Sequence, residues 1–197
     1  ACGYNVSADR NSAFGRHSML QNISGDDNTT MGYNSGYTLT GSDNTAIGSM
    51  AMRTGTSVID CIAIGRSALE GDGSTAPTGD YNVAIGNYSQ DASTTALGNV
   101  SVGYHSLGAV ATGQYNTAIG HQAGYSATGS YNVYLGRNAA VYGTSHSHCI
   151  AIGSAALSGD GSTAPTGNYN IAIGGLSLDA STTAHSNIAI GYEAGTA

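Results

Sequence analysis

Tryptophan is absent, phenylalanine occurs once, and only 17 of the 197 residues are Lys, Arg, Asp or Glu. With a net charge of −7 and so few cations, neither a basic groove for nucleic acid nor a polybasic membrane patch can be assembled. No apolar run approaches the roughly twenty residues needed to cross a bilayer, so no membrane insertion by this segment is expected. Three cysteines, Cys2, Cys61 and Cys149, are too few for a disulfide framework. Buried free thiols are the plain reading, and bonds between equivalent cysteines of neighbouring chains are the sharper one. Thirty glycines with abundant Ser, Thr and Asn depart from an ordinary globular core.

What the chain has instead is a repeat that reads roughly Asn-(Val/Ile/Thr)-Ala-Ile-Gly-x-x-(Ala/Ser). Its glycines are Gly15, Gly32, Gly48, Gly65, Gly86, Gly103, Gly120, Gly136, Gly153, Gly174 and Gly191, at gaps of 17, 16, 17, 21 and 17 that then recur in the same order. Five units make an 88-residue super-repeat, and the loop from Gly71 to Gly79 returns unchanged from Gly159 to Gly167. A period this short and even predicts an all-β parallel β-solenoid (β-roll) of about eleven 16–21-residue coils. Residues 1–197 then form one solenoid domain, a slice of a longer repetitive fibre, with super-repeats at about 15–102 and 103–190. Further protein is expected at one or both ends.

Each column carries its own expectation. The residue before the glycine is always apolar (Phe14, Met31, Ile47, Ile64, Ile85, Val102, Ile119, Leu135, Ile152, Ile173, Ile190) and is assigned to the core. Two residues earlier Val, Ile and Thr alternate, as strand residues do. Between them stands Ala in eight coils, which predicts close approach of another surface. Three residues after the glycine every coil has Ala or Ser, marking a second narrow site. The turn glycines, from Gly48, Gly65 and Gly86 through Gly103, Gly120, Gly136, Gly153 and Gly174 to Gly191, are expected where φ is positive or a Cβ would not fit. Asn four residues before the glycine occurs in nine coils and predicts an amide ladder, with Cys61 and Cys149 on the other two rungs.

Catalytic constellations are not found, and no enzyme or cofactor is expected. Asp72 with Asp80, and Asp160 in the equivalent loop, are weak candidates for calcium. His146 and His148 are weak candidates for a metal site between chains, although the first super-repeat has Val58 and Asp60 there. Thirteen tyrosines raise the alternative of a glycan-binding module. Tyr33, Tyr104 and Tyr192, with the insertions carrying Pro77 and Pro165, are the candidate partner contacts. Five sequons, at Asn5, Asn22, Asn28, Asn87 and Asn99, are weak evidence in so Asn-rich a chain. A polysaccharide-degrading β-helix would need paired carboxylates that both super-repeats keep. An ice-binding solenoid would need a flat Thr row, whereas the Thr/Val/Ile column is expected to face inward.

The strings Asn44-Thr45-Ala46-Ile47-Gly48-Ser49-Met50-Ala51 and Asn116-Thr117-Ala118-Ile119-Gly120-His121-Gln122-Ala123-Gly124 resemble the head repeats of trimeric autotransporter adhesins (YadA-like) and related phage tail-fibre shafts. The resemblance spans essentially all eleven coils, although the adhesin repeat is shorter, nearer fourteen residues. It implies three chains about a three-fold axis, in an extracellular fibre on a virion or cell surface that attaches to a host or surface receptor, with a glycan as one candidate. Two buried sides per strand point to self-association in the same way.

Overall fold

The computed structural model describes residues 7–72, 75–159, 165–180, 183 and 185–196. They form one all-β solenoid with eleven three-residue strands: β1 (Ser12–Phe14), β2 (Thr29–Met31), β3 (Thr45–Ile47), β4 (Ile62–Ile64), β5 (Val83–Ile85), β6 (Val100–Val102), β7 (Thr117–Ile119), β8 (Val133–Leu135), β9 (Ile150–Ile152), β10 (Ile171–Ile173) and β11 (Ile188–Ile190). All eleven lie in a single parallel sheet in chain order, as eleven coils numbered with their strands. Pairing has no stagger. Ala84 sits beside Ala63 and Ser101, for example, so sequence columns become straight ladders. At about 4.8 Å per coil the sheet is roughly 50 Å long.

The sheet is one wall, and the rest of each coil is held by amides that bond to neighbouring coils outside regular strand geometry. Three columns do this with backbone in the left-handed region: five residues before the glycine, two after it and four after it. At the first two the N–H bonds the preceding coil, as in Tyr131 N to Gln114 O (3.0 Å) and Gln122 N to Tyr104 O (2.9 Å). At the third it bonds the following coil, as in Leu107 N to Ala123 O (3.0 Å). Among the described residues twenty-nine non-glycine residues have positive φ, and none of them is Val, Ile or Thr. β-Branched side chains are the ones that conformation penalises most, so the alternation of residue types around a coil follows its backbone.

Both reasons for the turn glycine hold at Gly120. Its φ is +138°, and a Cβ there would lie 2.4 Å from the carbonyl oxygen of Gly136 in the next coil. The amide ladder runs inside the corner before the strand. Asn99 Oδ1 accepts the N–H of Asn116 (2.8 Å), while Asn99 Nδ2 donates to Gly113 O (2.8 Å) in the coil above. Cys61 and Cys149 keep the ladder continuous, because Asn82 N–H and Asn170 N–H each point at the preceding Sγ at 3.4 Å.

The core is the reverse of the sequence expectation. Ala46, Ala63, Ala84, Ala118, Ala151 and Ala172, the middle residues of their strands, are fully buried. The flanking residues face out, with Ile85 36 % and Ile119 44 % exposed. Thus Ile47, Ile64, Ile85, Val102, Ile119, Leu135, Ile152, Ile173 and Ile190 are an outer ladder, each exposed or half-buried, and not the core. Where a Met or Leu fills the coil the strand wall has room only for Ala or Ser, and the larger inward residues Thr30 and Tyr134 lie against Gly36 and Gly124 instead. The interior is filled from the opposite side, by Met19, Met52, Leu69, Leu107, Leu157 and Leu178 four residues after the glycine. The Ala/Ser column three residues after the glycine is buried too, as a tight wall position.

Candidate functional site

The outward sheet face carries two side chains per coil, and none of the 22 is charged. Eighteen are apolar, and only Ser12, Thr29, Thr45 and Thr117 are not. Three residues of strand width and eleven coils of height give a flat apolar area of roughly 500 Å² before its borders are counted. Single exposed apolar residues need no explanation, but a continuous stripe of this size is at the upper end of what monomers expose. The outward Thr/Val/Ile column removes the ground on which an ice-binding surface was set aside. The composition of the face now counts against that reading, since Thr occupies three of the column's eleven rungs.

Two columns border this face. Before the strand, at the left-handed position, stand Asp27, Asp43 and Asp60 and then Tyr81, Tyr115, Tyr131, His148 and Tyr169, all exposed. Tyr115, Tyr131, His148 and Tyr169 stack ring on ring at centroid separations of 5.3, 5.1 and 5.1 Å, matching the coil rise. Their faces cover one another, so edges and hydroxyls meet solvent. After the glycine stand Arg16, Tyr33, Arg66, Tyr104, Arg137 and Tyr192 among smaller residues, and these six are exposed. Arg16 lies over the Tyr33 ring (5.9 Å), Arg66 over Tyr88 (5.5 Å), and Tyr104 stacks on His121 (5.4 Å).

Among the proposed partner contacts, then, Tyr33, Tyr104 and Tyr192 do lie at the surface, on one border of the sheet. Pro77 and Pro165 do not: both are buried. The insertion folds its proline against the coil, and Pro165 places its carbonyl inside, 3.3 Å from His146 Nδ1. Asp72 accepts the Thr75 N–H as a turn cap, and Asp80 accepts the Ile59 N–H, so each carboxylate closes local backbone. Asp160 lies outside the described residues.

His146 and His148 are separated by the wall. Residue 148 has φ +59°, so the two-residue strand period does not apply there. His148 points out into the aromatic stack, while His146 is fully buried. A carbonyl can only accept, so His146 Nδ1 carries the hydrogen toward Pro165 O. Its Nε2 then accepts from the Tyr134 hydroxyl at 2.8 Å. Burial lowers the His146 pKa, and the Pro165 carbonyl opposes this. Among the described residues no three His, Cys, Asp or Glu cluster as metal ligands.

His105 and Asp91 approach at 3.9 Å, yet burial pushes both toward their neutral forms, lowering His105 and raising Asp91 to about 6. Neither shift is caused by the other group, and the contact carries a full charge pair only when His105 is protonated. Cys61 and Cys149 are free and buried inside the coil, where bonds to another chain cannot form without unfolding. Cys2 lies outside the described residues. Asn22, Asn28 and Asn99 are buried, Asn5 is not described, and Asn87 alone among the described sequon residues is exposed.

No family model, curated protein or solved structure matches the chain.

Proposed function

We propose that this chain is a segment of a homotrimeric structural fibre, a stiff rod that holds loops or a distal tip for attachment to a host or surface ligand on the outside of a virion or cell. The observation that carries this reading is the outward apolar sheet face, continuous over all eleven strands and free of charge. Water contact costs such a face about 25 cal/mol for each Å² of apolar surface, which self-association recovers. The amide and glycine ladders supply stiffness, since every coil bonds its neighbours all the way round.

The runner-up, a glycan-binding module, draws on the exposed tyrosine row. Sugar rings stack on aromatic faces, however, and the faces of this row are occupied by one another. The fibre reading is therefore the stronger.

Sedimentation tests it. The parent should run as a species of three 19.6 kDa chains at micromolar concentration. Ile85→Lys with Ile119→Lys, two outward changes that a lone coil tolerates, should give a folded single chain or a much weaker assembly. A parent that stays monomeric at high concentration would defeat the proposal. A saturable response on a glycan array would move the function toward the runner-up.

A further inference from the structure

Resting on the reading that copies assemble through the sheet face, we infer that its two borders are complementary surfaces. They pair the pre-strand border of one copy with the post-glycine border of the next, coil against the same coil, and so set a parallel, in-register assembly.

The argument starts from charge. The chain contains no lysine, and its five cations are Arg10, Arg16, Arg53, Arg66 and Arg137. Arg10 is held by Asp27 (2.6 Å) and Arg53 by Glu70 (2.5 Å). The other three all fall on the post-glycine border, which carries no acid. Three aspartates, Asp27, Asp43 and Asp60, fall on the opposite border. One edge of the face is therefore cationic and the other acidic over the first coils.

Symmetry then selects which edges meet. Every strand runs from the acidic border to the cationic one, so rotating a copy about an axis parallel to the rod brings unlike borders together. Closed cyclic symmetry allows no translation, so each coil must face the same coil of its neighbour. In that arrangement Asp60 meets Arg66 of the next copy, and Tyr131 meets the Arg137 guanidinium. Bulk matches as well. Tyr192 faces Ser186, and none of the seven coils with a border tyrosine has one on both sides. Coil 1 opposes Arg10 to Arg16, but there Asp27 already neutralises Arg10.

An antiparallel pairing gives different neighbours. It sets like border against like border with coil order reversed, so that Gly98 meets Gly98.

Three variants distinguish the outcomes. Tyr131→Cys with Arg137→Cys in one chain, on opposite borders of coil 8, should oxidise to covalent trimers on a denaturing gel, and Gly98→Cys should give no covalent dimer. Asp60→Arg and Arg66→Asp should each raise the dissociation midpoint at least about tenfold through like-charge contact, and the double exchange should return it to within about threefold of the parent. Covalent dimers from Gly98→Cys, or an oligomer with neither crosslink nor charge rescue, would overturn the border pairing while leaving self-assembly standing. A parent that sediments as a single chain at every concentration would overturn both.

Discussion

Coil 8 contains a packing exchange that can be reversed. Counting 88 residues back, Tyr134, Ala140 and His146 correspond to Ala46, Met52 and Val58, and all six are fully buried. The second super-repeat has gained a phenol ring and an imidazole where the first has small apolar groups, and it has lost a methionine side chain beside them. Gly124 and Gly143 fit the same account: a Cβ at Gly124 would lie 2.5 Å from the Tyr134 ring, and one at Gly143 would lie 1.9 Å from His146. Tyr134→Ala should cost about 3–5 kcal/mol by opening a cavity. Tyr134→Phe keeps the volume but leaves His146 Nε2 without a donor, at about 1–3 kcal/mol. Ala140→Met alone should cost about 1–3 kcal/mol by overpacking against the ring. The triple change Tyr134→Ala, Ala140→Met, His146→Val restores these three residues of coils 3 and 4, although Ala127 still stands where the first super-repeat has the buried Leu39, and it should recover most of the loss of Tyr134→Ala. Urea denaturation at fixed protein concentration measures all four. A triple variant no more stable than Tyr134→Ala would show that the exchange is not a unit.

The same variants carry a pH prediction. A buried His146 has its folded pKa below the unfolded 6.5, so the unfolded state takes up protons first and stability is lost as pH falls below about 6.5. His105 shifts in the same direction, whereas Asp91, raised to about 6, gains stability as pH falls through that value, so the slope between pH 6.5 and 5 should drop in the triple variant by the share that His146 carries. Gly120→Ala should destabilise by more than about 2 kcal/mol, combining left-handed strain with a backbone clash, while Gly175→Ala, where a Cβ comes no nearer than 3.4 Å to Tyr192, should stay within about 0.5 kcal/mol. Equal thermal midpoints for the two would refute the close-stacking account. Gln90→Leu with Ser101→Ala, which copies Leu178 and Ala189 of the second super-repeat, should stabilise by about 1 kcal/mol, because Gln90 Oε1 is buried without a partner and the pair removes the Nε2 donor together with its Ser101 acceptor; a loss in chemical denaturation would count against it. Cys61 and Cys149 should resist thiol reagents until the chain unfolds, since burial raises both pKa values, Cys61 to about 11. Fast labelling of a Cys2→Ser chain under native conditions would contradict their placement.

Period and strand were legible in the sequence because a glycine every 16 to 21 residues leaves room for one coil, and because Val and Ile alternating with Ala mark a strand. Which face turned inward was not. Alternation separates two faces without ordering them, and the rule that larger apolar groups go inside presumes an interior wide enough to take them. Here the opposite wall stands too near, and Ala is what fits. The true interior column, Met19, Leu69, Leu107, Leu157 and Leu178, stands at a fixed offset from the glycine and was visible as a pattern. It is reached through residues with φ near +50°, which the strand and helix periods do not describe. The same local twist explains why His146 and His148, two residues apart, lie on opposite sides of the wall. The borders of the sheet were half legible. Tyr33, Tyr104 and Tyr192 stand directly after the glycine in the sequence and at the surface in the fold, whereas an insertion that carries Pro77 reads as a projecting loop, and here the ring closes the coil.

The duplication also explains why the borders differ along the rod while the backbone does not. Asp27, Asp43, Asp60 and Tyr81 correspond at 88 residues to Tyr115, Tyr131, His148 and Tyr169, so one border is acidic in the first super-repeat and aromatic in the second. A closed ring admits no slip, but two uniform rods that meet before the ring closes can pair one coil out of register at no cost, since every column looks the same after the shift; register is weakly specified wherever a repeat is perfect. A one-coil slip here would set Tyr104 against Tyr115 in one direction or Tyr81 in the other. Either slip would also part Asp60 from Arg66. In the assembly proposed, divergence confined to side chains outside an unchanged coil would penalise such out-of-register encounters, in a column whose left-handed backbone already accepts Asp, Tyr and His.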